Sequence, residues 1–306
     1  MHGWLILDKP LGVGSTDAVS AVKRALRAGG YPRVKVGHGG TLDPLATGVL
    51  PIALGEATKL AGRMLDSNKR YQFTIQFGRE TDTLDAEGQV VATLAKQPGF
   101  GLVEDALVGF YGELEQIPPI YSALKVDGRR AYDLARAGQT PTLAPRKIKV
   151  GDWQYFAEGL VEGSVEQYVT LACTVSKGTY IRSLARDIAY SCGTVGHVTM
   201  LRRLRAGPFD LEHAISLDKL SELGHGRELE GALLPLAAAL DGIPALPLTP
   251  EQATFLRQGR QLSGQASPDG LALATLDGNP VALVEHMSGQ TRVVRGFNLD
   301  TAKDEE

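Results

Sequence analysis

Two cysteines stand in 306 residues, Cys173 and Cys192, and they form no Cys-x-x-Cys pair. That excludes a disulfide framework and leaves no zinc-ribbon spacing. No apolar run reaches the ~18 residues a bilayer span requires. Met1–Pro10 has no basic stretch ahead of a long apolar core, so no signal peptide is expected and a reduced cytoplasm is the default location. Aromatic residues are only 6% of the chain. No long repeat and no low-complexity tract occurs. What remains is ordinary globular material, 43% hydrophobic and 22% charged, long enough for about two domains.

Net charge is −3, which taken alone argues against a polyanion partner. Its distribution argues the other way. Lys125, Arg129, Arg130, Arg136, Arg146, Lys147 and Lys149 face only Asp127 and Asp133 within their stretch. Lys177, Arg182, Arg186, Arg202, Arg203 and Arg205 face only Asp187. Acidic residues gather instead in 210–241 and in the last three positions. Segregation of this kind fits a basic face for nucleic acid, although a charge run is as often plain solvated surface.

Tyr71, Phe73, Ile75 and Phe77 alternate with polar residues and predict a half-buried strand over 69–77. Further strands are expected at 4–7, 146–150, 153–156, 166–175 and 197–204. Helices are expected after a Ser15 or Thr16 cap, and at 57–65, 103–111, 130–137 and 180–190. Residues 216–245 read as helical throughout, and 248–256 as one more helix. Strands at 271–276, 281–287 and 291–297 would then build a small β-rich unit. The mixture lacks regular βα alternation, so the fold class is α+β: a mixed, mainly antiparallel sheet with flanking helices. The expected domains are 1–245, with an insertion at about 121–150, and 246–306.

One stretch resists assignment to helix or strand. Residues 37–48, Gly-His-Gly-Gly-Thr-Leu-Asp-Pro-Leu-Ala-Thr-Gly, hold four glycines and a proline, and lead into the apolar run Val49–Leu54. Such a turn can hold one carboxylate, Asp43, at the wall of a cleft. Taken alone, such a turn is more often purely structural, since aspartate and glycine both favour turns. It lacks the Gly-Lys-Ser/Thr ending of a phosphate-binding loop.

This stretch closely resembles the signature loop of the TruB-type tRNA pseudouridine synthases. Lys69-Arg70-Tyr71, Thr81-Asp82-Thr83-Leu84-Asp85, 118–125 (Pro-Pro-Ile-Tyr-Ser-Ala-Leu-Lys), 177–182 (Lys-Gly-Thr-Tyr-Ile-Arg) and Leu201-Arg202-Arg203 resemble that family's other blocks, in its order. The resemblance covers about the first 210 residues. The C-terminal unit only loosely resembles the small RNA-binding PUA domain.

The resemblance implies an isomerase that flips uridine 55 out of the tRNA T-loop, breaks C1′–N1, turns the base and rejoins it through C5, with no metal and no cofactor. It assigns Asp43 as the catalytic carboxylate, and Arg182 as the guanidinium that pairs with it. Tyr71 would stack on the base. His38 would fill the vacated RNA fold, while Tyr180 and Leu201 would contact the flipped nucleotide. Lys125, Arg129, Arg130, Arg146, Lys147, Arg202 and Arg203 would meet phosphates. The implied partner is the T-arm stem-loop, met by a monomer without guide RNA and away from membranes. Three other readings stay open on residues alone: an RNA-binding or RNA-folding protein with secondary catalysis, a guide-RNA-dependent synthase, and a glycoside hydrolase pairing Asp43 with Asp82 or Asp85.

Overall fold

A computed structural model describes residues 1–161, 163, 165–264 and 267–299. Its centre is a ten-stranded sheet. Along the sheet lie Ala214–Ile215, Gly3–Lys9, Ala46–Leu54, Gly196–Ala206, Lys69–Phe77, Gln167–Val175, Arg146–Leu160 and Gly112–Gln116. Two short strands join at the sides: Phe209–Asp210 on Gly196–Ala206, and Val36–His38 on Ala46–Leu54. Pairing is antiparallel except where Gly3–Lys9 meets Ala214–Ile215 and where Ala46–Leu54 meets Gly196–Ala206. The expected mixed, mainly antiparallel α+β architecture is what forms.

The alternation over 69–77 does what the pattern requires. Phe73, Ile75 and Phe77 are buried, and pack with Leu171, Val175 and the apolar face of the helix Ile181–Ser191. On the other half of the sheet, Ala18, Val22 and Leu26 of the helix Ser15–Ala28 cover Leu5, Leu7, Leu50 and Ile52. The strand Ala46–Leu54 is buried along almost its whole length, including Pro51. Pro51 is tolerated because its nitrogen, on the same side as its carbonyl, faces the signature loop and not the neighbouring strand Gly3–Lys9. That carbonyl accepts from Gly39 N in the signature loop, so the ladder to Gly3–Lys9 needs no donor from Pro51.

Several local expectations are corrected. Ser15 does not cap the first helix; Gly14 does, with its N–H bound to the Asp17 carboxylate, because the Ser15 hydroxyl is spent on Leu42. The strands expected at 146–150 and 153–156 are one bulged strand, Arg146–Leu160. The long acidic helix stops at Gly226, where Arg227 turns left-handed (φ 59°) and Pro235 follows; short 3-10 turns at Leu229–Ala232 and Leu236–Leu240 replace it.

A second, five-stranded sheet runs Ala245–Pro247, Gly270–Leu276, Asn279–Met287, Gln290–Gly296 and Leu262–Ser263, with the helix Pro250–Arg257 against it. Ala245, last residue of the expected first domain, already pairs with Leu273. The two sheets are not independent. Leu273, Leu283 and Phe297 share one buried cluster with Trp4, Ala57, Leu60 and Leu240.

Candidate active site

The signature loop is held from three directions. The hydroxyl of Ser15 accepts from Leu42 N at 2.8 Å and donates to its carbonyl at 2.9 Å. Lys9, fully buried, donates to the carbonyls of Val13 (2.6 Å), Pro10 (3.1 Å) and Pro44 (3.2 Å). Arg203, 1% exposed, donates to the carbonyls of Val49 (2.7 Å), Gly40 (3.1 Å) and Thr41 (3.2 Å). Within the loop, Ala46 N closes a turn onto the Asp43 carbonyl, with proline in the second position that such turns favour. Gly48 is required: its φ is +99°, and a Cβ there would stand 2.2 Å from the Arg203 carbonyl.

This scaffold presents the Asp43 carboxylate half-exposed, 2.9 Å from Arg182 Nη2. Arg182 occupies the first turn of the helix Ile181–Ser191 and is 8% exposed. It also donates to the carbonyls of Thr83 (2.8 Å) and Tyr121 (3.1 Å), and its Nη1 lies 3.3 Å from the Asp85 carboxylate. Asp85 is buried beneath it. The Thr83 hydroxyl (2.5 Å) and Glu87 N (3.1 Å) donate to Oδ1 of Asp85. Leu84, just before it, is left-handed (φ 62°), a conformation that only tight surroundings sustain in a leucine. Asp43, Leu45, Ala46, Asp85, Arg182 and the edge Val198–Leu201 line one narrow crevice. Helix N-terminus and guanidinium both place positive charge there, where a carboxylate is held.

The other expected residues gather nearby. Tyr71 lies between the two halves of the core, with its hydroxyl 3.4 Å from Arg203 Nη1. Leu201 is half-buried beside Ala46 and Phe73 in the sheet. Tyr180 precedes the Arg182 helix, and Gln116 brackets its backbone by accepting from its N–H (2.8 Å) and donating to its carbonyl (3.1 Å). Arg146 stands 6.0 Å over the Tyr180 ring, whose phenol is pushed up in pKa by burial. The pKa of His38 is pushed down by burial and then by the charge of Arg203, which favours a neutral ring.

The sequence profile of the TruB family pseudouridylate synthase N-terminal domain matches residues 23–181. That of the tRNA pseudouridylate synthase B C-terminal domain matches 182–241. The chain belongs to the TruB family of pseudouridylate synthases. It is 61% identical over 299 residues to the tRNA pseudouridine synthase B of Novosphingobium aromaticivorans, covering 98% of each chain. Identity to the Zymomonas mobilis protein of that name is 55%, over 98% of this chain and 97% of that one. A solved structure of an H/ACA RNP bound to a substrate RNA containing 2′-deoxyuridine holds a chain of the same fold. Its TM-score is 0.72 at 24% identity, over 97% of this chain and 85% of that one.

In this TruB-family isomerase the basic residues divide in an unexpected way. Arg203 cannot meet a phosphate as expected, because it is buried and its guanidinium holds the loop. Arg202 makes a two-point pair with Asp8 at 2.7 and 3.0 Å. Lys177 pairs with Asp66 and Arg186 with Asp187. Arg182, Arg186, Arg202 and Arg203 are therefore committed to partners within the fold, while Lys177 meets Asp66 at the surface and Arg205 is exposed. Lys125, Arg129 and Arg130 stand exposed on a small hairpin turned by Asp127 and Gly128 (φ 50° and 81°), and Lys147 is exposed as well.

Sequence reasoning missed Asp85 as the second anion on Arg182, and Lys9 and Ser15 as struts of the loop. Lys9 offered a faint signal, as a lysine ending an apolar strand just ahead of a proline. The hydrolase reading fails on geometry for the Asp85 pairing, and the Asp82 carboxylate is engaged by Gln89 N and the Tyr121 hydroxyl. Asp43 and Asp85 flank a guanidinium, not a space for a sugar. No helix is long and apolar enough to cross a membrane, and no three His, Cys, Asp or Glu side chains gather to hold a metal, both among the described residues.

Proposed function

We propose that this enzyme converts uridine 55 in the T-loop of tRNA to pseudouridine, acting as a monomer without a guide RNA. The observation that carries the reading is the Asp43–Arg182 contact at 2.9 Å, set on a loop immobilised by Ser15, Lys9 and Arg203. The names of the relatives at 61% and 55% identity support tRNA as the substrate.

The reaction is an isomerisation. The C1′–N1 bond breaks, C1′ bonds to C5, a proton leaves C5 and one is gained at N1, so no redox partner is needed. A target base stacked in a loop is out of reach until it is flipped. Tyr71 offers the flipped uracil an aromatic face at the crevice, and Leu201 and Tyr180 bound it. Whether Asp43 attacks the sugar, attacks the base or takes a proton from C2′, it acts as a carboxylate, and Arg182 fixes its direction. His38, on the strand that enters the loop, is the residue assigned to stacking in the RNA. The exposed cations of the 121–150 insertion, Lys125, Arg129, Arg130 and Lys147, supply phosphate contacts to the T-arm, with Arg146 at the Tyr180 edge. The C-terminal sheet serves as a PUA-like RNA-binding unit.

The test is pseudouridine mapping of an unmodified tRNA transcript incubated with the purified chain alone, beside Asp43→Asn. The parent is expected to modify position 55. The variant should bind the transcript yet lose at least about 10³-fold in rate, the scale on which chemistry by a positioned side chain is lost. Product from Asp43→Asn would remove Asp43 from the chemistry. A parent inactive without added RNA or protein partners would favour the guide-dependent reading.

A further inference from the structure

A large concavity lies away from the crevice and has no part in the chemistry above. It encloses about 900 Å³ between the end of the helix Ser15–Ala28 and the strand Val36–His38. Leu26, Tyr31, Pro32, Val34 and Val36 form its apolar wall. Lys23, Arg27, Arg33 and Lys35 line it and are exposed. Among the described residues, no carboxylate lines it. Among them too, none of these four side chains makes an ion pair or a side-chain hydrogen bond.

This contrasts with Arg182, Arg186, Arg202 and Arg203, which find partners within the fold. The acidic segment that follows Gly226 comes close without neutralising the groove. Leu229 N donates to the Tyr31 hydroxyl at 3.0 Å, yet neither Glu228 nor Glu230 reaches a cation there. Four like charges around one hollow repel one another unless an anion lies among them. A hollow with cations at its rim and a tyrosine and a proline in its wall matches a sugar–phosphate chain better than a compact anion.

Its placement narrows the choice. Val36 lines the groove, and His38, two residues on, enters the signature loop. The strand Val36–His38 pairs with the far end of Ala46–Leu54, on the half of the sheet that carries the first helix. The basic insertion reaches the site from the opposite half, through Tyr121 on Arg182 and Arg146 over Tyr180. The catalytic crevice thus lies between two separate basic surfaces.

We propose that Lys23, Arg27, Arg33 and Lys35 form a second phosphate-backbone site, which takes a stretch of the substrate RNA outside the stem-loop held by the insertion. This rests on the reading of the chain as a tRNA-modifying enzyme. The test combines Lys23→Gln, Arg27→Gln, Arg33→Gln and Lys35→Gln in the full chain, with Arg33→Gln and Lys35→Gln also made singly. Binding of full-length tRNA and of an isolated T-arm stem-loop is measured across a salt series. Every phosphate left without its cation should make the slope of log K against log[salt] shallower by about 0.7–0.9. The quadruple variant should therefore lose about three units on full-length tRNA and little on the stem-loop. Its KM should rise while kcat at saturating tRNA is unchanged. An unchanged slope and affinity on full-length tRNA would overturn the proposal, and would leave the groove to an acidic protein or to solvent. Failure of the underlying reading would look different: the parent itself would bind tRNA and form no pseudouridine.

Discussion

Arg182 is asked to serve two carboxylates, and the asymmetry between them defines its task. Asp85 is buried and anchored by Thr83 and Glu87 N, whereas Asp43 is half-exposed and free to meet a substrate. Asp85 is thus a positioning residue that sets where the guanidinium points. Asp85→Asn keeps the shape and the acceptor oxygen but removes the charge from Nη1. It should lower kcat by about 10–100-fold, the cost of sub-ångström misplacement at a reacting centre, with tRNA affinity unchanged. Single-turnover rates beside equilibrium binding would check this, and a rate within twofold of the parent would deny Asp85 that role. Asp43 and Arg182 were readable in the sequence because each sits in a compact motif. Asp85 stood in one too, yet its task was not, since the task exists only where a loop at 81–88 meets a helix a hundred residues later. Arg203 was misjudged for a related reason. In an arginine pair on a strand, one side chain faces out and one faces in, and the carbonyls that make the inner one tolerable lie more than 150 residues away.

Lys69 shows how one side chain can finish an element. Its ammonium donates to the carbonyls of Met64, Leu65 and Ser67 at 2.6–2.7 Å, closing the end of the helix Ala61–Asp66, whose last carbonyls have no partner within the helix. Burial, with the charge of Arg203, pushes its pKa down to about 8. Lys9, buried as a strut of the signature loop, is also pushed down to about 8, by burial against a partly opposing Asp43. A lysine near 8 when folded and near 10.5 when unfolded binds fewer protons in the fold between those values, so stability rises with pH there. Above about 9 the sign reverses for the thiols, because burial keeps Cys173 and Cys192 protonated in the fold after the unfolded chain has lost those protons. Above 10 the raised phenols of Tyr121, Tyr180 and Tyr190 act likewise. Stability should therefore climb by about 1 kcal/mol per lysine from pH 8 to 9, level off and then fall. Urea midpoints taken at half-unit steps would show it, and in Lys69→Met the climb should roughly halve. A flat or falling curve from 8 to 9 would mean that both ammonium groups stay charged. Elements themselves were readable wherever one period dominated, as in the strand Lys69–Phe77. The stretch 216–245 misled because its composition is helical, while the left-handed Arg227 and Pro235 decide its path.

At the scale of the whole molecule, the C-terminal sheet reads in sequence as a separable module, and its strands fall close to where their pattern puts them. Its dependence on the rest was invisible, because apolar residues facing a neighbouring domain look like ordinary core. Leu273, Leu283 and Phe297 sit in one cluster with Trp4, Ala57, Leu60 and Leu240, all nearly inaccessible. Polar contacts reinforce the seam: Lys59 Nζ donates to the Gly296 carbonyl at 2.9 Å, and Asn298 N donates to the Glu56 carboxylate at 2.7 Å. Removing residues 246–306 would strip three large apolar side chains from that cluster. At about 1.5–3 kcal/mol for each, the loss is on the order of 5 kcal/mol or more, comparable with the whole stability of many domains. Truncation should therefore depress the melting temperature and catalysis together, so a fall in tRNA affinity would not by itself show that the sheet touches RNA. Charge-removing changes at exposed positions of the same sheet, Arg292→Gln with Arg295→Gln, leave the seam intact and ask the RNA question alone. If the truncated chain melted where the parent does and kept its turnover on a T-arm stem-loop, the seam would be energetically idle and the two units independent after all.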